Sequence, residues 1–139
     1  MDALPDWPEG TVAVLTTHPA HAIPVSLVLR AGDRELVLGL APSRRSLEHL
    51  RVEPRCAVTV LGNGVAFTAH GRAVEFGDPD PVVAVRIEID EIADHDQPTF
   101  EIQAGVTWRW TDDAARDRDA TARAALREQL EQHRAEAIQ

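Results

Sequence analysis

The sequence predicts a mainly β protein: an antiparallel β-barrel of six to seven short strands, with one short helix after strand three and one C-terminal helix. Short runs of alternating apolar residues recur along the chain, separated at close spacing by turn residues. Helical periodicity is missing between most of these runs, whereas a parallel α/β sheet needs a helix at nearly every crossover. From Thr111 onward the composition shifts to Ala, Arg and Glu, as in a helix.

The chain has 139 residues, 44% hydrophobic and 27% charged, which suits one globular domain with a core of its own. We take 1–139 as a single domain, with a barrel over 10–110 and a helix over 111–136. The net charge of −9 argues against a nucleic-acid partner, which calls for a basic stripe. Every basic residue is arginine, so Schiff-base and lysine-nucleophile chemistry is excluded. One cysteine, Cys56, allows neither an internal disulfide nor a multi-cysteine metal site, and its place at the start of an apolar strand reads as a buried structural thiol. The opening Met-Asp-Ala-Leu-Pro-Asp-Trp lacks a signal-type basic region and apolar stretch, and no apolar run nears the ~20 residues of a membrane span. A cytoplasmic protein without a membrane partner is the expectation.

Pro5, Pro8 and Gly10 make residues 1–10 an irregular lead-in. Thr11–Thr17 is β-branched and reads as the first strand. His18-Pro-Ala-His21 is a turn. Ile23, Val25, Leu27 and Leu29 alternate through a second strand, with Pro24 marking an edge or bulge. Ala31-Gly-Asp-Arg34 is a hairpin turn, and residues 35–41 are the third strand. Pro42 ends that strand. Ser43 is then the expected N-cap of a short helix with Leu47 and Leu50 on one face, and Pro54 stops it.

Cys56–Leu61 forms the fourth strand, and Gly62-Asn-Gly64 is a hairpin signal. The fifth strand runs from Val65 to about Phe76, with Gly71 as a bulge or bend. Val83, Val85, Ile87 and Ile89 alternate cleanly through the next strand. Residues 93–99 contain Pro98 and read as a loop. Short strands are expected at 100–104 and 106–110. Thr111 is the expected cap of the last helix, where Asp112 and Asp113 suit the first turn. With Leu126 and Leu130 as its only large apolar residues before Ile138, that helix buries little, lying along the barrel or reaching a partner subunit.

The start of the short helix holds the clearest chemistry. A helix N-terminus carries unpaired N–H groups and about half a positive charge. Arg44 and Arg45 add two permanent cations where acidic residues are usually favoured. Together with the Ser43 and Ser46 hydroxyls they form a phosphate cradle; a solvent-facing arginine pair is the plainer alternative. Trp108 and Trp110, two apart on an expected strand, share a face. They serve either as a hydrophobic edge under the last helix, or as an aromatic wall for a planar ligand or a dimer anchor. His18 and His21 have loose metal-ligand spacing, but Pro19 separates them and no carboxylate cluster is near, so no metal site is assigned. Nucleophile-elbow and Walker-type motifs are absent, and no catalytic residue is assigned.

The order and spacing of several motifs resemble the pyridoxamine 5′-phosphate oxidase-like split β-barrel family. Pro24-Val-Ser-Leu-Val-Leu before a hairpin is similar to the family's second strand. Ser43-Arg-Arg45 resembles its Ser-Arg-Lys phosphate-binding motif. Leu50-Arg-Val-Glu-Pro-Arg-Cys-Ala-Val-Thr-Val and Phe67-Thr-Ala-His-Gly-Arg-Ala-Val resemble the strands that follow. The match spans about residues 10–93. It implies a split β-barrel homodimer with FMN in clefts at the subunit interface. It implies that Ser43, Arg44, Arg45 and Ser46, with Leu47, hold the cofactor phosphate, that Val25 and Ser26 lie beside the flavin ring, that Thr59 lines the cleft and that Trp108 or Trp110 covers the ring from the other subunit. The arginine-rich C-terminal substrate segment of the oxidases has no counterpart, and the acidic helix after Thr111 stands in its place.

The expectation is therefore an FMN-dependent oxidoreductase acting on an unspecified small molecule. One alternative is a deazaflavin-dependent reductase, which needs Arg44, Arg45, Arg51 and Arg55 gathered on one face. Another is a non-enzymatic flavin- or haem-binding or interaction module.

Overall fold

The computed structural model describes residues 1–96 and 98–138. In chain order they form β1 (Ala13–Thr17), β2 (His21–Val25), β3 (Val28–Gly32), β4 (Glu35–Leu40), α1 (Arg45–Val52), β5 (Arg55–Gly62), β6 (Val65–Phe76), β7 (Val83–Asp94) and α2 (Asp113–Ile138). The seven strands make one antiparallel sheet in the order β2-β1-β5-β6-β7-β4-β3. The architecture is a split β-barrel with a short helix after β4 and a C-terminal helix.

The barrel closes through the stretch the alternation assigned to one strand, Ile23–Leu29. That strand is two. β2 pairs with β1, with Val25 opposite Ala13; β3 pairs with β4, with Val28 opposite Leu38. Only Ser26 and Leu27 lie between them, so one chain segment supplies both edges of the sheet. The break also swaps faces. Val25 and Val28 enter the main core, whereas Leu27 joins the smaller cluster beneath α2. Strict alternation would have put Leu27 with Val25; the bend at Ser26 breaks the period of two. Gly39 lets the closure come close. Its N–H donates to the Leu27 carbonyl at 2.9 Å, and a β-carbon there would sit 2.3 Å from Leu27 Cδ2.

The core follows the strand alternation. Leu15, Leu36, Leu38, Val58, Val60, Phe67, Val85 and Ile87 are fully buried inside the barrel. Leu47 and Leu50 of α1 close the same core, as their three-residue spacing predicts. α2 packs on the opposite face of β4 and β7 through Leu126 and Leu130, against Val37, Val82 and Ala84. The helix is buried along that line, in cis in this chain.

The bulge expected at Gly71 lies opposite it, on β7 instead of β6. His70 pairs with Glu91 but Gly71 pairs with Ile89, so the extra residue is Asp90, on β7. The burial parity of β7 slips by one there, from Val83, Val85, Ile87 and Ile89 to Ile92. Arg34 holds the irregularity: its Nε donates to the Ile89 carbonyl at 3.4 Å and its Nη2 to that of Asp90.

Three boundaries are corrected. Arg44, not Ser43, is the N-cap of α1; its backbone is extended and no side chain caps the helix. Pro42 and Ser43 are spent in a turn closed by the Arg44 N–H to the Ala41 carbonyl at 3.0 Å, so the helix starts one residue later. The first turn of α2 is capped by Asp112, whose Oδ1 accepts the Ala115 N–H at 2.7 Å, rather than by Thr111. The strands expected at 100–104 and 106–110 are absent; Phe100 alone makes an isolated bridge. β5 and β6, whose hairpin the segment passes at Gly64, already have neighbours on both sides and offer it no free edge. The segment is instead tied by single contacts. The Ile102 carbonyl accepts from the Gly64 N–H at 3.2 Å, and the Trp108 ring N–H donates to the Gly10 carbonyl at 3.0 Å.

Candidate functional site

A cavity of about 790 Å³ opens where the barrel closes. Its floor is the break itself, with Pro24, Val25, Ser26 and Leu27. One wall is the end of β4 and the turn into α1, with Gly39, Leu40, Ala41 and Arg44. The roof is Trp110 and the first half of α2, from Ala115 to Ala122. The volume falls within the range of about 300–1,000 Å³ usual for small-molecule sites, and the mixture of apolar walls with a few polar groups is typical of them.

Of the residues the sequence pointed to, the cavity brings together Val25, Ser26, Arg44 and Trp110. Ser43 and Arg45 are exposed on either side of Arg44. Ser46 and Leu47 are buried under the helix start, at 1% and 0% exposure. The Ser46 hydroxyl has no hydrogen-bond partner among the described residues, and its oxygen is sealed from solvent. What the helix start offers is main chain: the Arg45 and Ser46 N–H groups have no partner among the described residues, and no side chain caps them. Arg44 and Arg45 likewise lack an ion-pair partner among the described residues.

Thr59 stands elsewhere. It lies on the outward face of β5, hydrogen-bonded to Thr68 at 2.8 Å, and Thr68 in turn contacts His95 Nε2 at 2.7 Å. Trp108 packs edge-on against Trp110 with ring centroids 4.7 Å apart, so it supports the cavity roof from behind. Arg51 and Arg55 are each taken by a carboxylate. Arg51 forms a two-point pair with Glu75 at 2.9 and 2.8 Å. Its hydrogen bond holds the Glu75 carboxyl below its ordinary range. Arg55 pairs with Glu53 at 2.9 Å. The four arginines a broad basic groove requires are therefore not all free.

Several of the histidines are engaged in local contacts. His49 Nδ1 is bonded to Thr17 Oγ1 at 3.0 Å and its ring meets His21 edge-on, but no group of three or more ligand-type residues occurs among the described residues. Cys56 is buried, which pushes its thiol pKa up to about 12. No helix is long and apolar enough to cross a membrane among the described residues.

The fold has counterparts among solved structures. A FAD-binding protein from Mesorhizobium loti superposes with a TM-score of 0.51 at 19% identity, over 60% of this chain and 82% of that one. A protein assigned as a pyridoxamine 5′-phosphate oxidase from Listeria innocua gives 0.52 at 17% identity, over 61% and 88%. The chain has the pyridoxamine 5′-phosphate oxidase-like split-barrel fold. A flavin reductase in its native state shares the same split barrel, with a TM-score of 0.52 at 13% identity over 63% of this chain and 81% of that one. No protein-family model matches the sequence, and no curated protein does. At these identities the shared property is the split barrel itself.

The sequence did not single out Gly39, Val82 or the roof residues of α2. The roof has a faint signal: Ala115 and Ala122 are seven apart, so they share one small-residue face with Asp119 between them. Gly39 has none, because its role depends on which residue it meets across the closure.

Proposed function

We propose that the chain is a flavin-binding oxidoreductase of the split-barrel class, with FMN as its cofactor and a small molecule as its substrate. The observation that carries the reading is the meeting of Arg44 with Val25, Ser26 and Trp110 around one cavity, beside an uncapped helix start. These residues fit the group. Two unpaired N–H groups, at Arg45 and Ser46, and two unpaired guanidiniums suit a phosphate monoester. Pro24, Val25, Leu27, Leu40 and Trp110 offer apolar surface for a planar ring system.

When bound, the flavin supplies the hydride chemistry. The chain's residues bind and orient. Arg44 and Arg45 with the α1 main chain fix the phosphate end. Val25 and Ser26 set the position of the ring at the barrel closure. Trp110 and the first turns of α2 keep bulk water from that side. A FAD-binding protein and a flavin reductase of the same fold support the reading. The two cations that a broad basic groove for an acidic-tailed deazaflavin would add, Arg51 and Arg55, are held in ion pairs, which favours FMN.

The same reading includes a cytoplasmic homodimer, formed through the outer face of β1, β5 and β6. A row of uncharged residues crosses this face, from Pro24 through Val14 and Thr59 to Thr68. Val14 and Leu61 are 39% and 45% exposed on it. Leu61→Arg is expected to give a monomer by light scattering if this face is the interface.

The test of the cofactor is titration of the purified protein with FMN, followed by absorbance and fluorescence. One FMN per subunit is expected. Arg44→Ala with Arg45→Ala should weaken binding by about 100-fold or more, the loss of two charge-assisted contacts. Full affinity in that double variant would refute the phosphate assignment.

A further inference from the structure

The cavity holds a second guanidinium. Arg118, on α2, lines it together with Arg44, which comes from the β4–α1 turn. Neither guanidinium has an ion-pair or hydrogen-bond partner among the described residues. Nine of this chain's fourteen arginines are committed: Arg30, Arg51, Arg55, Arg86, Arg116, Arg123 and Arg127 sit in ion pairs, and Arg34 and Arg134 donate to main-chain carbonyls. In a chain with a net charge of −9, two unclaimed arginines from separate elements in one cavity are the exception.

The acidic residues around Arg118 are accounted for, except one. Asp112 caps the helix. Asp113 pairs with Arg116 at 3.0 Å. Asp119, also in the cavity lining, pairs with Arg123 at 3.5 Å. Asp117 remains beside Arg118 in the lining, beyond ion-pair distance of it. An unpaired guanidinium presents a planar fork of donors that matches carboxylate and phosphate oxygens.

We propose that Arg118 is a second oxyanion-binding residue of the cavity, acting with Arg44 on a ligand or ligand pair that carries two anionic groups. The inference rests on the reading that Arg44 receives a phosphate. The second oxyanion has two sources with the same chemistry: a further phosphate on the cofactor, as in FAD, or a carboxylate or phosphate on the substrate. In either case α2 takes part in recognition rather than only covering the barrel, and Asp117 sets a limit on how strongly the site holds an anion.

The experiment uses the full chain without added flavin and measures the binding of inorganic pyrophosphate and inorganic phosphate by calorimetry. Pyrophosphate is expected to bind more tightly than phosphate, and Arg118→Ala to weaken it by about tenfold, with Arg118→Lys in between and Asp117→Asn tighter than the parent. FMN and FAD titrations then separate the sources. A loss of FAD affinity with FMN unchanged in Arg118→Ala assigns the second oxyanion to the cofactor. Unchanged affinity for both flavins, with weaker pyrophosphate binding to the FMN-loaded protein, assigns it to the substrate. Parent-like binding of pyrophosphate, FMN and FAD by both Arg118→Ala and Arg118→Glu overturns the proposal. If pyrophosphate binding depends on Arg118 while no flavin binds, the oxyanion site stands and the flavin reading falls. If flavin depends on Arg44 and Arg45 while Arg118 has no effect, the reverse holds. Arg118 is exposed, and circular dichroism of each variant checks that the fold is retained.

Discussion

Arg123 donates from Nη2 to the main-chain carbonyl of Ser26 at 3.2 Å, which ties the C-terminal helix to the point where the barrel closes. The side chain is 8% exposed, lies 3.4 Å from Glu9 and 3.5 Å from Asp119, and leaves its Nη1 without a partner among the described residues. A buried cation in this position holds three parts of the chain together: the lead-in, the closure and the cavity roof.

Arg123→Ala leaves Asp119 and the Ser26 carbonyl without their partner. The expected loss is about 2–4 kcal/mol of unfolding free energy, because a half-removed buried pair costs more than the pair contributes. Urea unfolding measures it. Arg123→Met keeps the packing of the stem and should lose less; an equal loss would show that charge rather than volume holds the roof.

Two glycines give a graded test of the close approaches. A β-carbon at Gly71 would lie 2.2 Å from the Glu88 carbonyl oxygen, which is main chain and cannot step aside. At Gly39 the obstacle is the Leu27 side chain. Gly71→Ala should therefore cost about 3 kcal/mol or more, and Gly39→Ala about 1–2 kcal/mol. Thermal melts of the two variants should rank them in that order.

Acid should loosen the outer side of α1 before the core. The hydrogen bond from Arg51, more than the neighbouring charge alone, lowers the Glu75 carboxyl from its ordinary value. A carboxyl depressed in the folded state contributes stability above its unfolded pKa and loses it as the pH falls through the folded one. The contribution is thus intact at neutral pH and lost below the usual carboxylate range. Both side chains are partly exposed, so the effect is small and screened by salt. Glu75→Gln should flatten the acid limb of the melting curve relative to the parent.

Cys56 should be inert in the folded protein. Burial raises its thiol to about 12, so the reactive thiolate is scarce at neutral pH. A chromogenic disulfide reagent should react with one thiol per chain in denaturant and only slowly without it. Fast reaction in the native state would mean that the β1–β5–β6 layer opens readily.

The alternating strands and their turns were legible because they are local. Cys56 to Val60 and Val83 to Ile89 show which face is buried in their own spacing, and Gly62-Asn-Gly64 marks its hairpin directly. The helix of Leu47 and Leu50 and the stop at Pro54 were readable for the same reason. The break at Ser26 was not, because alternation holds in appearance from Ile23 to Leu29 while two different strands compete for the segment as partners. Residues 100–110 carry β-type residues, yet the strands they pass at the β5–β6 hairpin already have neighbours on both sides, which only the complete topology reveals. At the site, Arg44 was legible from its place at a helix start. Arg118 was not, since one arginine among many on a polar helix gains meaning only from the cavity it faces.

The sharing of one segment by both edges of the sheet sets where this chain tolerates being cut. New termini placed between Ser26 and Leu27, as in a circular permutant, would remove the link that holds the two sheet edges side by side, and β2 and β3, each paired on one border only, would be open to pairing with another molecule. New termini at Asn63, on an exposed hairpin tip, would leave every strand its neighbours. The same protein should therefore be robust to rewiring at one turn and prone to self-association when rewired at the other.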